Sequence, residues 1–274
     1  MTRKSLCIAA AMTLLALGVQ VGSSKAQNAA PQRAAPATIP DTDEGRIAEL
    51  VHANHILSDR NVLDGFGHIS VRSAKNPSHY FMSRSLAPGM VTRDDIMEFD
   101  ENSQPVDARG RDLYGERFIH GEIYRARPDV MSVVHSHAQA VIPFGLTNAP
   151  LKALIHVAYF LGTEPAPVFE IRDAMGPENL MLVNVAKSGA ALAKTLGNRS
   201  VVLMRGHGMS VAAPTIRDAV FRSLATKTNA EVQTEAMKLG TPVFMNSFEV
   251  TRVEGVGRQW EQWVTEADAA RKPR

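Results

Sequence analysis

The 274 residues hold 30 Lys and Arg against 28 Asp and Glu, a formal net charge of +2, with 45% apolar and 6% aromatic residues. This is ordinary globular composition, long enough for one large or two small domains, and no Lys/Arg-rich patch with interleaved aromatics marks a nucleic-acid binder. The single cysteine, Cys7, excludes a disulfide framework, so any metal must be held by His, Asp or Glu.

In chain order, Thr2-Arg3-Lys4 supplies a positive start, residues 6–21 are almost wholly apolar, and Ser24-Lys25-Ala26 places small residues before a polar tail. Residues 1–26 read as a secretory signal peptide, which implies export to the periplasm or beyond and no membrane contact after cleavage. The alternative is a retained anchor, because an apolar run of about 16 residues is near the lower limit for spanning a bilayer. Cys7 lies inside that run and not at its end, which speaks against a lipoprotein. Cleavage would remove Arg3, Lys4 and Lys25, leaving 27 basic against 28 acidic residues. The apparent basicity therefore says little about function. Residues 27–41, rich in Ala and Pro, read as a flexible linker. No repeat or second linker follows, so one domain over 42–272 is expected.

Within that domain, Ile47, Leu50, Val51, Ile56 and Leu57 predict a helix after the cap-like Asp41-Thr42-Asp43. Short strands are predicted at 68–72 and 79–83 around an Asn76-Pro77 turn. Next come a helix over 115–127, stopped by Pro128-Asp129, and a strand over 130–137. Further strands are expected at 168–171, 181–183 and 201–204, with helices over 188–196, 215–239 and 257–271. The alternation predicts an α/β, or layered α+β, architecture: a mixed sheet covered by helices.

The chemistry-bearing residues begin with His135 and His137. On an extended strand alternate side chains share a face, so the two imidazoles can grip one ion. His207 is the candidate third ligand: Arg205-Gly206-His207-Gly208 follows an apolar strand, and its glycines permit close approach. Three histidines with an open position form a common catalytic zinc arrangement. Glu116, in the first turn of a predicted helix, is a candidate proton carrier. Asp112, Glu122 and Asp129 compete with it on sequence alone.

Gly115-Glu116-Arg117-Phe118, Tyr124-Arg125-Ala126-Arg127-Pro128-Asp129, Val133-Val134-His135-Ser136-His137 and Arg205-Gly206-His207-Gly208 together resemble the class II aldolase/adducin family. The likeness runs over about residues 44–240 and includes GFGHISVR at 65–72. It implies a three-layer fold with a mixed or antiparallel central sheet, and a divalent metal, commonly zinc with Mn²⁺, Co²⁺ or Mg²⁺ as alternatives, on His135, His137 and His207. It also implies acid/base chemistry at Glu116, nineteen positions before His135, and a homo-oligomer, often a tetramer.

The departures narrow the chemistry. The family's sugar-phosphate aldolases hold phosphate with short hydroxyl side chains; here those positions read Gly65-Phe66-Gly67-His68 and Tyr114-Gly115, and a proton-donating tyrosine of the fuculose phosphate enzyme aligns with Val157. FGHIS and SRSLAP resemble the branch that decarboxylates hydroxylated phthalates. On this resemblance His68, Ser83, Arg84, Ser85, Tyr114 and His156 are the expected substrate contacts, with Arg84 suited to a carboxylate. The implied activity is a metal-dependent lyase, a decarboxylase or aldolase for a non-phosphorylated hydroxy, keto or hydroxyaromatic acid, in which bond cleavage leaves an enolate or its phenolic equivalent. A sugar-phosphate aldolase or epimerase is the alternative.

Other classes fare less well. A cupin-type oxygenase needs a ligand Glu a few residues after the His pair, and 138–145 contain none. Gly208-Met209-Ser210-Val211-Ala212 is a near miss for a nucleophile elbow. A non-catalytic adducin-like module would not need three histidines and Glu116. The C-terminal stripe of Val256, Trp260, Trp263 and Val264 suits either a subunit interface or packing on its own subunit.

Overall fold

The computed structural model describes residue 40, residues 42–251 and residues 256–272. The expected leader, and all of the expected linker except Pro40, lie outside the described residues. Among the described residues no helix is long and apolar enough to cross a membrane.

Seven strands, β1 (His68–Arg72), β2 (Tyr80–Ser83), β3 (Ile96–Phe99), β4 (Ser132–Ser136), β5 (Val168–Phe169), β6 (Val201–Met204) and β7 (Gly208–Ala213), form one sheet. Their order is β3-β2-β1-β4-β7-β6-β5, antiparallel throughout except for β5 against β6. Alternate residues enter different cores: Val201 and Leu203 one, Val202 and Met204 the other, with the same division between Val134 and Val133. Both faces are thus apolar and need covering. The described helices are α1 (Asp43–Asp59), α2 (Phe118–Ala126), α3 (Ile142–Leu146), α4 (Ile171–Met175), α5 (Ala186–Leu196), α6 (Ile216–Leu239) and α7 (Gly257–Ala270). α1, α6 and α7 cover one face, while α2, α4 and α5 cover the other, giving the three expected layers.

Local chemistry sets the element ends. Thr42 Oγ1 accepts the Gly45 N–H at 3.1 Å and caps α1, whose first turn carries Asp43 and Glu44. The Asn76-Pro77 turn closes with a His79 N–H to Asn76 carbonyl bond of 2.8 Å.

Several sequence expectations are corrected. Residues 181–183 form no strand: Met181 takes φ +59°, and the polar groups of this stretch serve two site residues in place of a ladder. The strand expected over 168–171 stops at Phe169, because Ile171 opens α4. β3 escaped notice as a short edge strand of mixed burial. β7 was hidden because its run of small residues resembles a turn; Ser210 lies fully buried within it, so there is no exposed nucleophile elbow. The C-terminal stripe packs on its own subunit, where Trp260 and Trp263 join the core beside α1.

Candidate metal centre and active site

β4 ends one residue before His137, and its register places His135 opposite His68 of β1 and Ser210 of β7. His207 arrives from the tight turn between β6 and β7. A Cβ on Gly208 would lie 2.0 Å from the Ser136 carbonyl oxygen, so only glycine lets these two backbones approach so closely. That approach brings the His207 ring beside His137, with ring centroids 4.9 Å apart.

Nε2 of His137 lies 3.1 Å from Nε2 of His135 and 3.0 Å from Nε2 of His207. Glu116 Oε2 stands 3.4 Å from Nε2 of both His135 and His207. The four ligand atoms lie within 4.8 Å of one another.

The other ring nitrogens explain the cluster. His207 Nδ1 faces the Met181 carbonyl oxygen at 2.8 Å, and His137 Nδ1 faces both Asp64 carboxylate oxygens at 3.1 Å. Those partners only accept, so each Nδ1 donates and a neutral ring turns its Nε2 lone pair inward. Lone pairs 3.0 Å apart repel unless a cation lies between them. A tetrahedral ion with bonds of about 2.0–2.1 Å to nitrogen holds its ligands about 3.3 Å apart, close to the spacing found. The donor set therefore fits a divalent metal, with outer partners that fix each ring. For His135 that partner is Ser210, whose Oγ stands 3.5 Å from Nδ1.

Glu116 sits in the 3-10 turn Gly115–Arg117 that leads into α2. Its Oε1 accepts the Val183 N–H at 2.8 Å, which leaves Oε2 for the cluster. Burial opposes its charge; the His135 and His207 imidazoles, when they carry a second proton, outweigh burial and hold its carboxyl far below the usual carboxylate range, a lowering that is absent when both rings are neutral. Burial likewise acts to lower His207, and the Glu116 carboxylate outweighs it, raising the ring above its ordinary value. His137 is lowered, by burial and by the neighbouring His135. Of the competing acids, Glu122 faces Arg125 at 3.6 Å and Asp129 pairs with Arg127 at 2.7 Å. Glu116 is the one carboxylate that joins the three imidazoles among the described residues.

The cluster opens on a cavity of about 680 Å³ lined by Glu116, His137 and His207. His68, Ser85 and Tyr114 line it as well, as do the apolar side chains Phe66, Leu86, Ala87 and Leu182. The structure places three other expected contacts elsewhere. Arg84 does not line the cavity; its Nε donates to Asp95 Oδ1 at 2.7 Å, so its charge is already matched. Ser83 is buried in β2 against Tyr114 and does not itself line the cavity. His156 lines a separate cavity with Leu154 and Phe248.

Residues 48–234 match the family model described as the class II aldolase and adducin N-terminal domain. The chain belongs to that family. Among its relatives, the decarboxylase tropJ of Talaromyces stipitatus is 34% identical over 261 residues, covering 85% of this chain and 96% of that one. A 3,4-dihydroxyphthalate decarboxylase of Arthrobacter keyseri is 28% identical over 217 residues, covering 73% and 82%. Of the solved structures, an L-fuculose 1-phosphate aldolase from Glaciozyma antarctica superposes with a TM-score of 0.69 at 20% identity, over 86% of this chain and 94% of that chain. That last likeness concerns the fold alone.

One residue of this class II aldolase site escaped the sequence reading. Asp64 Oδ1 accepts the Phe66 and Gly67 N–H groups at 3.0 and 2.9 Å while its carboxylate holds His137. Burial raises its pKa, but those two N–H groups and the His137 imidazole outweigh this and lower it. The signal was present in Leu63-Asp64-Gly65, where an Asp before Gly marks a side chain that bonds its own turn. Asp64→Ala is expected to weaken zinc binding by about 10- to 100-fold, as loss of an outer partner does. Competition with a chelator of known affinity measures this, and an unchanged zinc affinity would show that His137 needs no such support.

Proposed function

We propose that this protein is a divalent-metal-dependent carbon–carbon lyase that decarboxylates a non-phosphorylated hydroxyaromatic, hydroxy or keto acid. The supporting observation is the character of the cavity: a metal-ligand cluster opens on walls made by Phe66, Leu86, Ala87 and Leu182, and no Lys or Arg lines it among the described residues. A phosphate dianion placed there would lose water and meet Ser85 as the one short hydroxyl side chain of the lining among the described residues, where the family's sugar-phosphate aldolases are expected to offer several. A planar ring would gain apolar contact, and the departing CO2 is itself uncharged. The tropJ and dihydroxyphthalate relatives support the same branch.

A divalent cation, zinc in this proposal given the three imidazoles, would supply positive charge beside a substrate oxygen and offset the charge released on bond cleavage. The imidazoles of His135, His137 and His207 would hold it, each steered from Nδ1. Glu116, ionised at the start, accepts the substrate hydroxyl proton. In a hydroxyaromatic acid Glu116 returns that proton to the ring carbon bearing the carboxylate, drawing on the charge of the substrate oxygen. The bond to the carboxylate then breaks, its electron pair restores the aromatic ring with the charge back on the oxygen, and CO2 leaves. Tyr114 and Ser85 position the substrate; the Tyr114 hydroxyl is itself tied to the Leu86 carbonyl.

Export rests in this proposal on the composition of residues 1–26. Self-association as a homo-oligomer draws support from Leu239, Val243 and Phe248, each more than 80% exposed. The test of the chemistry is to incubate the zinc-loaded protein separately with 3,4-dihydroxyphthalate, an α-keto acid and L-fuculose 1-phosphate. The expected result is CO2 from one of the acids and no aldehyde from the sugar phosphate. The opposite pattern would make it a sugar-phosphate aldolase.

A further inference from the structure

His68 heads a line of four buried polar side chains that the proposed chemistry leaves unused. His68 Nδ1 is 2.7 Å from His120 Nε2, His120 Nδ1 is 2.6 Å from Ser70 Oγ, and Ser70 Oγ is 2.7 Å from the Tyr124 hydroxyl. None of the four is more than 4% exposed.

Two sequence periods build this line. On β1, Ile69 and Val71 enter one core, so His68, Ser70 and Arg72 face the α2 side. Glu116, His120 and Tyr124 recur every four residues and share a face through the turn and α2. The strand period and the helix period mesh, and the polar residues meet in pairs. Arg72 closes the far end, with its guanidinium 4.7 Å from the Tyr124 ring centroid and its N–H groups on four backbone carbonyls.

The far end also sets the direction of every hydrogen bond. Ser70 Oγ is the hydrogen-bond partner of the Tyr124 hydroxyl, and the Val133 backbone acts on that hydroxyl in the lowering sense of an N–H donor, not of an acceptor. Ser70 Oγ is thus the acceptor open to the Tyr124 proton among the described residues, and leaving a buried hydroxyl unpaired costs about 1–3 kcal/mol. Tyr124 donates to Ser70. Ser70 must then donate to His120 Nδ1, which puts the His120 proton on Nε2. That proton is given to His68 Nδ1, so the His68 proton sits on Nε2. His68 Nε2 has no protein partner among the described residues, and its ring lines the cavity. Burial and the nearby His135 push His120 down to about 3, so the ring carries one proton and not two at neutral pH.

We propose that His120, Ser70 and Tyr124 are positioning residues that lock His68 as a neutral Nε2–H donor, and that this N–H binds a carboxylate oxygen of the substrate. The donor takes the part expected of Arg84, without its charge. A neutral donor orients a carboxylate yet leaves it less stabilised than an arginine would, which suits a group that has to depart as CO2. The carboxylate half of this inference rests on the lyase reading above; the tautomer half does not.

Long-range ¹H–¹⁵N NMR on the zinc-loaded full chain, labelled in histidine and free of substrate, is expected to show His68 and His120 both protonated on Nε2. A proton on His68 Nδ1 overturns the lock. In His120→Gln, an amide can present either its oxygen or its N–H to His68, so a mixture of His68 tautomers is expected with unchanged zinc content. A pure Nε2–H signal in that variant overturns the role of His120. For the carboxylate half, calorimetry compares 2,3-dihydroxybenzoate, whose carboxylate lies beside a hydroxyl as the departing one does in 3,4-dihydroxyphthalate, with catechol, which lacks the carboxylate. The preference for the acid is expected to fall about tenfold or more in His68→Leu, and to survive largely in His68→Gln, which keeps a donor. Equal preference in wild type and His68→Leu overturns that half. A protein that shows the tautomers but releases no CO2 from any acid separates failure of the lyase reading from failure of the lock.

Discussion

Glu116→Gln is expected to lower turnover by about 10²-fold or more while zinc remains bound near one ion per chain, the loss that removal of a general acid/base brings. The substitution keeps the size of the side chain and an oxygen able to accept the Val183 N–H. What it removes is the ability to take and return a proton. No other carboxylate lines the cavity among the described residues, so no neighbour can take over the task. The measurement pairs kcat with metal content from elemental analysis. Full activity in the variant would sink the acid/base assignment, and loss of zinc together with activity would recast Glu116 as a ligand first.

His207→Ala is expected to abolish stable metal binding, a larger loss than the roughly 10- to 100-fold that removing an outer partner brings. Two imidazoles would remain, and the Met181 carbonyl would lose its donor. Because a ligand that binds only the folded state raises its stability with concentration, the second readout is thermal. Added zinc should raise the melting temperature of the wild type and leave that of His207→Ala unmoved. His156→Ala is the control, since His156 lies in a separate cavity and should behave as the wild type does. Equal zinc protection of both variants would mean that the three imidazoles do not form one site.

The metal site was legible because it rests on short periods. His135 and His137 are two residues apart on an extended segment, and Glu116 falls in the first turn of the predicted helix that leads through Pro128-Asp129 into that segment. The glycines around His207 carried a second local signal. Asp64 was legible in principle, through its Asx-type turn, but nothing local reveals that its carboxylate also meets His137, 73 positions away.

Arg84 shows the opposite limit. Its residue type suits a carboxylate, yet Asp95 occupies it and the cavity wall is built from uncharged neighbours. His156 stands close in sequence to the position of a family proton donor, yet its segment faces a different cavity.

By itself, the sequence determined the layered class, most of the elements, and the four residues that gather into the ligand cluster, because strand and helix periods are local properties of the backbone. Which polar side chains turn into the cavity, and which nitrogen of His68 carries the proton, was decided by the tertiary structure. Those features depend on the register of β1 against β4 and on the packing of α2 across both, which join residues fifty or more positions apart.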